Sequence, residues 1–160
     1  MSKRHGLVRW HRALILGAVA ALVLAVPASA GGAQVTRGAF HKFAAGTLDV
    51  SGHAVMVRTA DERTFVSVHV EGLEANTAYA SHVHDQACAD GLANGHYQHA
   101  GTAVNDVNEI WPSFTTNAAG VGNGNARNDW TARPEARSVV VHTVDAGGTP
   151  ILKIACADLE

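Results

Sequence analysis

From residue 46 onward the chain is patterned in twos. The segment "GTLDVSGHAVMVRTA" (46–60) has apolar residues at alternating places, and "TFVSVHVEGL" (64–73) alternates cleanly from Phe65 through Val70. A two-residue period sends successive side chains to opposite faces, so each segment predicts a β-strand with one apolar face. Further short runs follow: "AYASHVHD" (78–85), "EIWPSFTTN" (109–117), "GNARNDWTA" (124–132), "ARSVVVHTV" (136–144) and "LKIACADL" (152–159). The turn signals "ADER", "EGLEANT", "NAAGVGNG" and "VDAGGTP" separate the runs. Helical periodicity is hard to find here. Seven or eight short strands joined by Gly-rich turns predict an all-β sandwich or barrel. The stretch 86–108 reads as a long loop, and long ordered loops in compact domains are usually functional. Residues 31–45 are weakly patterned and fit either a flexible tail or an extra strand. There is no internal repeat.

The first thirty residues have another character. Lys3, Arg4, Arg9 and Arg12 precede the uncharged apolar run "ALILGAVAALVLAV" (13–26), and Pro27 and "ASA" (28–30) close it. A basic start, an apolar run and small residues at a cleavage site define an export signal. The run is short for a membrane-spanning helix, which takes about 20 apolar residues. Residues 1–30 are therefore predicted to be a signal peptide, and 31–160 one secreted or extracytoplasmic domain. Removing the signal takes four of the 12 basic residues and none of the 14 acidic ones, which leaves a net charge of −6 with histidines neutral. That charge argues against nucleic acid or an anionic membrane as partner. Two cysteines remain, Cys88 and Cys156. An even pair in an exported domain is most simply one disulfide.

Ten histidines is a high count for 160 residues. His82 and His84 stand at i and i+2 of a strand-like segment, so their imidazoles share a face and can share one metal ion. His96 lies in the long loop, within "NGHYQHAG", and His142 ends "SVVVH". Imidazoles without thiolates or carboxylates favour copper or zinc, and copper heads the divalent affinity order. His41, His53 and His69 read as surface or satisfied histidines. A His-x-His pair alone is weak, since exposed strand faces often carry histidine. The combination with a nearby Cys88, "GHY", "SVVVH" and the late Cys156 is far more specific.

That combination resembles the copper/zinc superoxide dismutase family over about Gly46 to Leu159. The matching segments are "VEGLEANTAYASHVHDQAC", "GHY", "SVVVH" and "KIACADL". The resemblance implies an eight-stranded Greek-key β-barrel. It implies His82, His84 and His142 as copper ligands, with His96 as the histidine that bridges copper and zinc. Cys88 and Cys156 would form the intrasubunit disulfide. Lys153 would stand where the family has the arginine that attracts and orients superoxide.

The departures are as specific. The family's zinc ion takes two further histidines and an aspartate from one loop, whereas here only His99 follows His96 before the next strand. The segment "VNDVNEIWPSF" adds Asp106 and Glu109 and no second histidine, so a complete zinc site is predicted absent. The connection from His142 to Cys156 lacks the family's long charged loop. Together these features resemble the zinc-less, copper-only branch.

Without zinc, another group must hold the free nitrogen of His96. Glu109 is the first candidate and Asp106 the second, because a metal-bound histidine normally gives its other N–H to a carboxylate or carbonyl. His99 is an alternative ligand to His96. Trp111, Phe114 and Trp130 read as core packing. The expected activity is disproportionation of superoxide anion to dioxygen and hydrogen peroxide with copper alone. The rival is a non-catalytic copper-binding or delivery protein on the same fold. Oligomeric state is not fixed by the sequence.

Overall fold

A computed structural model describes residues 32–43 and 45–160. The signal-like segment 1–30 lies outside the described residues. Among the described residues nine strands run in chain order: β1 (Gln34–Ala39), β2 (His41–Lys42), β3 (Ser51–Arg58), β4 (Thr64–Glu71), β5 (Ala78–His84), β6 (Phe114–Thr115), β7 (Gly122–Asn128), β8 (Ser138–Val144) and β9 (Pro150–Asp158). They form two antiparallel sheets, ordered β1-β3-β4-β7 and β2-β9-β8-β5-β6. The sheets bury apolar residues against each other without closing into a single barrel. No helix among the described residues is long and apolar enough to cross a membrane.

The alternating pattern translates directly into the first sheet. In β4, Thr64, Val66, Val68 and Val70 are buried, while Phe65, Ser67 and Glu71 face outward. In β3, Ala54 and Met56 join the same core. Val83 of β5 and Val139 and Val141 of β8 meet them from the second sheet. Burial of a Val or Met side chain contributes about 1.5–3 kcal/mol, so this interdigitated layer holds the sheets together.

β8 departs from alternation because both its faces are covered. Val139 and Val141 enter the core between the sheets, while Val140 packs on the other side with Phe43, Cys88, Ala93 and Cys156. A strand buried on both faces reads as a continuous apolar run, as "SVVV" does.

Of the two alternatives for residues 31–45, the structure takes the extra strand: β1 pairs with β3 along six residues, and β2 pairs with β9. Sheet-edge pairing orders a segment whose own pattern is weak. Conversely, the strand predicted over 109–117 shrinks to Phe114–Thr115. Pro112 supplies no N–H to a ladder, which confines the pairing to residues beyond it.

The 85–113 connection is fastened to the edge of β5. Tyr97 N donates to Val83 O (2.9 Å), Val83 N donates to Ile110 O (3.0 Å), and His84 forms a bridge with His96. At its start, Cys88 is joined to Cys156 of β9, with the Cα atoms 6.0 Å apart. Such a bond fits an oxidising, extracytoplasmic compartment.

Candidate metal centre

Strand parity places the site. Tyr79 and Val83 of β5 point into the inter-sheet core, so His82 and His84 lie on the opposite face, under the 85–113 connection. Antiparallel pairing sets Ala80 against His142 and His82 against Val140, which puts His142 of β8 on the same face and one pair away. The His84–His96 bridge brings in the fourth imidazole from the loop.

The rings converge closely. His82 stacks on His96 with centroids 4.0 Å apart, and His84 lies 5.0 Å from His96 and 5.5 Å from His142. One ring nitrogen from each of the four lies within 4.8 Å of the others. His82, His84 and His142 are buried, and His96 is partly exposed.

Hydrogen bonds dictate which nitrogens are available. His84 Nδ1 lies 3.2 Å from Ala93 O. A carbonyl only accepts, so Nδ1 carries the proton and Nε2 keeps its lone pair. That Nε2 is 3.3 Å from His142 Nε2. His96 Nδ1 donates to Glu109 Oε2 at 2.7 Å, which leaves its Nε2 as the free donor atom. His82 Nδ1 is buried without any hydrogen-bond partner. A buried polar atom left unpaired costs about 1–3 kcal/mol, and a ligand at this point would remove that cost.

The electrostatics agree with the geometry. Burial pushes the His82 imidazole down to about 3, with His96 and His142 adding to the effect. Burial likewise takes His84 to about 3, followed by the influence of His96 and Lys153. His142 also falls to about 3, through burial and then His84, His96 and Lys153. At neutral pH the three are uncharged bases, the form that binds a metal. Four imidazoles with a buried nitrogen lacking a partner fit a late transition-metal ion.

No protein-family model matches the chain, and no curated protein matches it either. The case for a metal centre therefore rests on the four histidines themselves and on what surrounds them.

Glu109 is the main surrounding group. It is fully buried, and its Oε2 accepts from His96 Nδ1 and from Trp111 Nε1 (2.8 Å), while Oε1 accepts from Gln98 Nε2 (3.1 Å). Asn128 Nδ2 steadies this segment by donating to the Glu109 carbonyl (3.0 Å). Asp106 contributes a backbone carbonyl to Asn128 and makes no side-chain bond to His96. Of the two carboxylates considered from sequence, Glu109 reaches the histidine. His99 lies apart from the group, its ring stacked on Trp130 with centroids 4.1 Å apart. His53 and His69 face each other across β3 and β4 (centroids 5.5 Å), away from the centre.

Lys153 stands beside the cluster, where it lowers the basicity of His84 and His142. Its ammonium donates to Leu92 O and Asn94 O, each at 2.6 Å. These carbonyls belong to a turn in which Leu92, Ala93 and Asn94 all have positive φ (55°, 59° and 50°). Left-handed backbone costs a non-glycine residue about 1–2 kcal/mol. Lys153, the His84–Ala93 bond and a bond from Asn94 Nδ2 to Asp85 (3.1 Å) hold the turn in place.

Sequence reasoning missed three participants. Gln98 and the Ala93 carbonyl lie in the long loop and carry no sequence signal of their own. Trp111 did have one: in "EIW" it is two residues from Glu109, so an extended backbone puts both side chains on one side.

Proposed function

We propose that the protein is an exported, copper-dependent superoxide dismutase-like protein that works without a complete zinc site. The observation that carries this reading is the convergence of His82, His84, His96 and His142, the four positions that the resemblance to the copper/zinc superoxide dismutases implies as ligands. Two further features support it. Cys88 and Cys156 are bonded as the resemblance implies. Glu109 holds the His96 nitrogen that, in that family, faces zinc. On this reading the two sheets correspond to a flattened Greek-key barrel.

The reaction converts two superoxide anions and two protons into one dioxygen and one hydrogen peroxide. When bound, copper supplies a one-electron couple. His84 and His142 present neutral nitrogens from adjacent strands, and rigid pairing fixes their separation. Glu109 fixes the ring of His96 and the tautomer it presents. Lys153 supplies a local positive charge in a domain of net negative charge, and that charge would draw an anion to the centre.

The second reading is a copper-binding or delivery protein. Lys153 favours it, since two of its three N–H groups are already committed to carbonyls and the guanidinium fork that positions an anion is missing. A superoxide-dismutation assay on the copper-loaded domain separates the two. Turnover well above that of copper chelated by free histidine is expected. A rate no better than that of the chelate would leave only the binding role. Failure to retain copper after reconstitution would remove both.

A further inference from the structure

Trp111 meets the histidine group twice. Its indole N–H donates to Glu109 Oε2, the oxygen that also accepts from His96. Its ring stands edge-on to His82, with centroids 5.5 Å apart and planes at 72°. One side chain thus touches a histidine of β5 directly and a histidine of the loop through one carboxylate. The backbone on either side of it is anchored to β5: Val83 N donates to Ile110 O (3.0 Å), and Ser81 N donates to Ser113 Oγ (3.1 Å).

The roles of the three donors on Glu109 differ. Gln98 is half-buried and carries a flexible amide that can present either end. The indole is a rigid plate with a single donor and two side-chain torsions. It is the partner that can lock the plane of the carboxylate, and the carboxylate plane sets the direction of His96 Nδ1–H. That in turn sets where His96 Nε2 points.

We propose that Trp111 is a positioning residue for His96, acting through Glu109, with its ring edge restraining His82. The site it serves takes a late transition-metal ion bound by imidazole, so the inference rests on the reading of His96 as a metal ligand. A packing role and a positioning role make different predictions. Phenylalanine keeps a ring against His82 and removes only the N–H.

The test uses Cu(II) titration against a competing chelator, together with 15N NMR of the metal-free protein. Trp111→Phe is expected to weaken Cu(II) binding by about 10-fold, the lower end for loss of an outer hydrogen-bond partner. It is also expected to replace the single His96 Nδ1–H tautomer by an exchanging pair. In a Glu109→Ala background, which removes the shared acceptor, the same substitution should change affinity less than about 2-fold, because the path runs through the carboxylate. Parent-like affinity with one tautomer overturns the proposal, as does an undiminished loss in the Glu109→Ala background. If Trp111→Phe does not fold, the parent decides: its Trp111 indole proton should exchange slowly and shift on Glu109→Gln, and a freely exchanging proton overturns the proposal. Should the parent not bind Cu(II), the metal role of His96 falls, and the tautomer measurement still decides what Trp111 does.

Discussion

Replacing Glu109 by glutamine is the sharpest perturbation of the centre, because shape is kept and charge is lost. Oε2 accepts from His96 and Trp111, and Oε1 from Gln98. A glutamine amide fits if its oxygen faces His96 and Trp111 and its NH2 faces Gln98, whose half-buried amide can turn over. All three charge-assisted hydrogen bonds then become neutral ones, at a loss of about 1 kcal/mol each. The metal-free Glu109→Gln protein should be about 3 kcal/mol less stable, which lowers the urea midpoint by roughly 1.5 M. Copper affinity should fall about 10–100-fold, since His96 loses the anion that orients its ring and raises its basicity. Glu109→Ala should be worse, because three donors lose their acceptor at about 1–3 kcal/mol for each one that water does not reach. Urea denaturation and chelator competition measure both quantities. A Glu109→Gln protein with unchanged midpoint and affinity would refute the role given to this carboxylate.

The same geometry predicts three further results. In the metal-free protein His82, His84 and His142 titrate near 3 when folded and near 6.5 when unfolded, so the unfolded chain binds more protons between those values. Their contribution is fully present above pH 6.5 and is lost as pH falls toward 3, at up to about 4 kcal/mol per pH unit for three groups; His82→Gln should flatten that slope by roughly a third in urea titrations at pH 5–6. Lys153→Met should lower dismutation and weaken its dependence on ionic strength, whereas a rate and salt response equal to the parent's would mean that Lys153 serves only the 92–94 turn. Cys88→Ser/Cys156→Ser opens a closure spanning 68 residues and should cost about 4 kcal/mol by chain entropy; calorimetry of the metal-free variant checks it, and chelator competition should show weaker copper binding.

The strands were legible wherever one face is wet and the other dry. "TFVSVHVE" could be assigned from its alternation alone, and "SVVV" from its continuous apolar character. The edge strand β1 was not, because Val35 and Thr36 owe their order to pairing with Val57 and Met56 of β3 rather than to a buried face of their own. Of the centre, the four histidines were readable through spacing and family resemblance. Their supports were less so. The Ala93 carbonyl that sets the tautomer of His84 is a backbone atom, invisible to residue type, and the left-handed turn that delivers it contains no glycine at its three positive-φ positions. Trp111 looked like a core aromatic because sequence reports that a ring is apolar but not where its N–H is aimed.

β5 carries two messages in one register. Its odd positions Tyr79 and Val83 belong to the core, and its even positions His82 and His84 belong to the centre. A single residue inserted or deleted between Tyr79 and His82 would put both imidazoles out of step with Tyr79, sending them into the apolar layer and valine to the histidine face. For protein engineers, the length of this strand is as constrained as its side chains, all of which are buried from Tyr79 to His84. The exposed stretch 100–107 is the contrasting place, where added residues leave the parity of the histidines untouched.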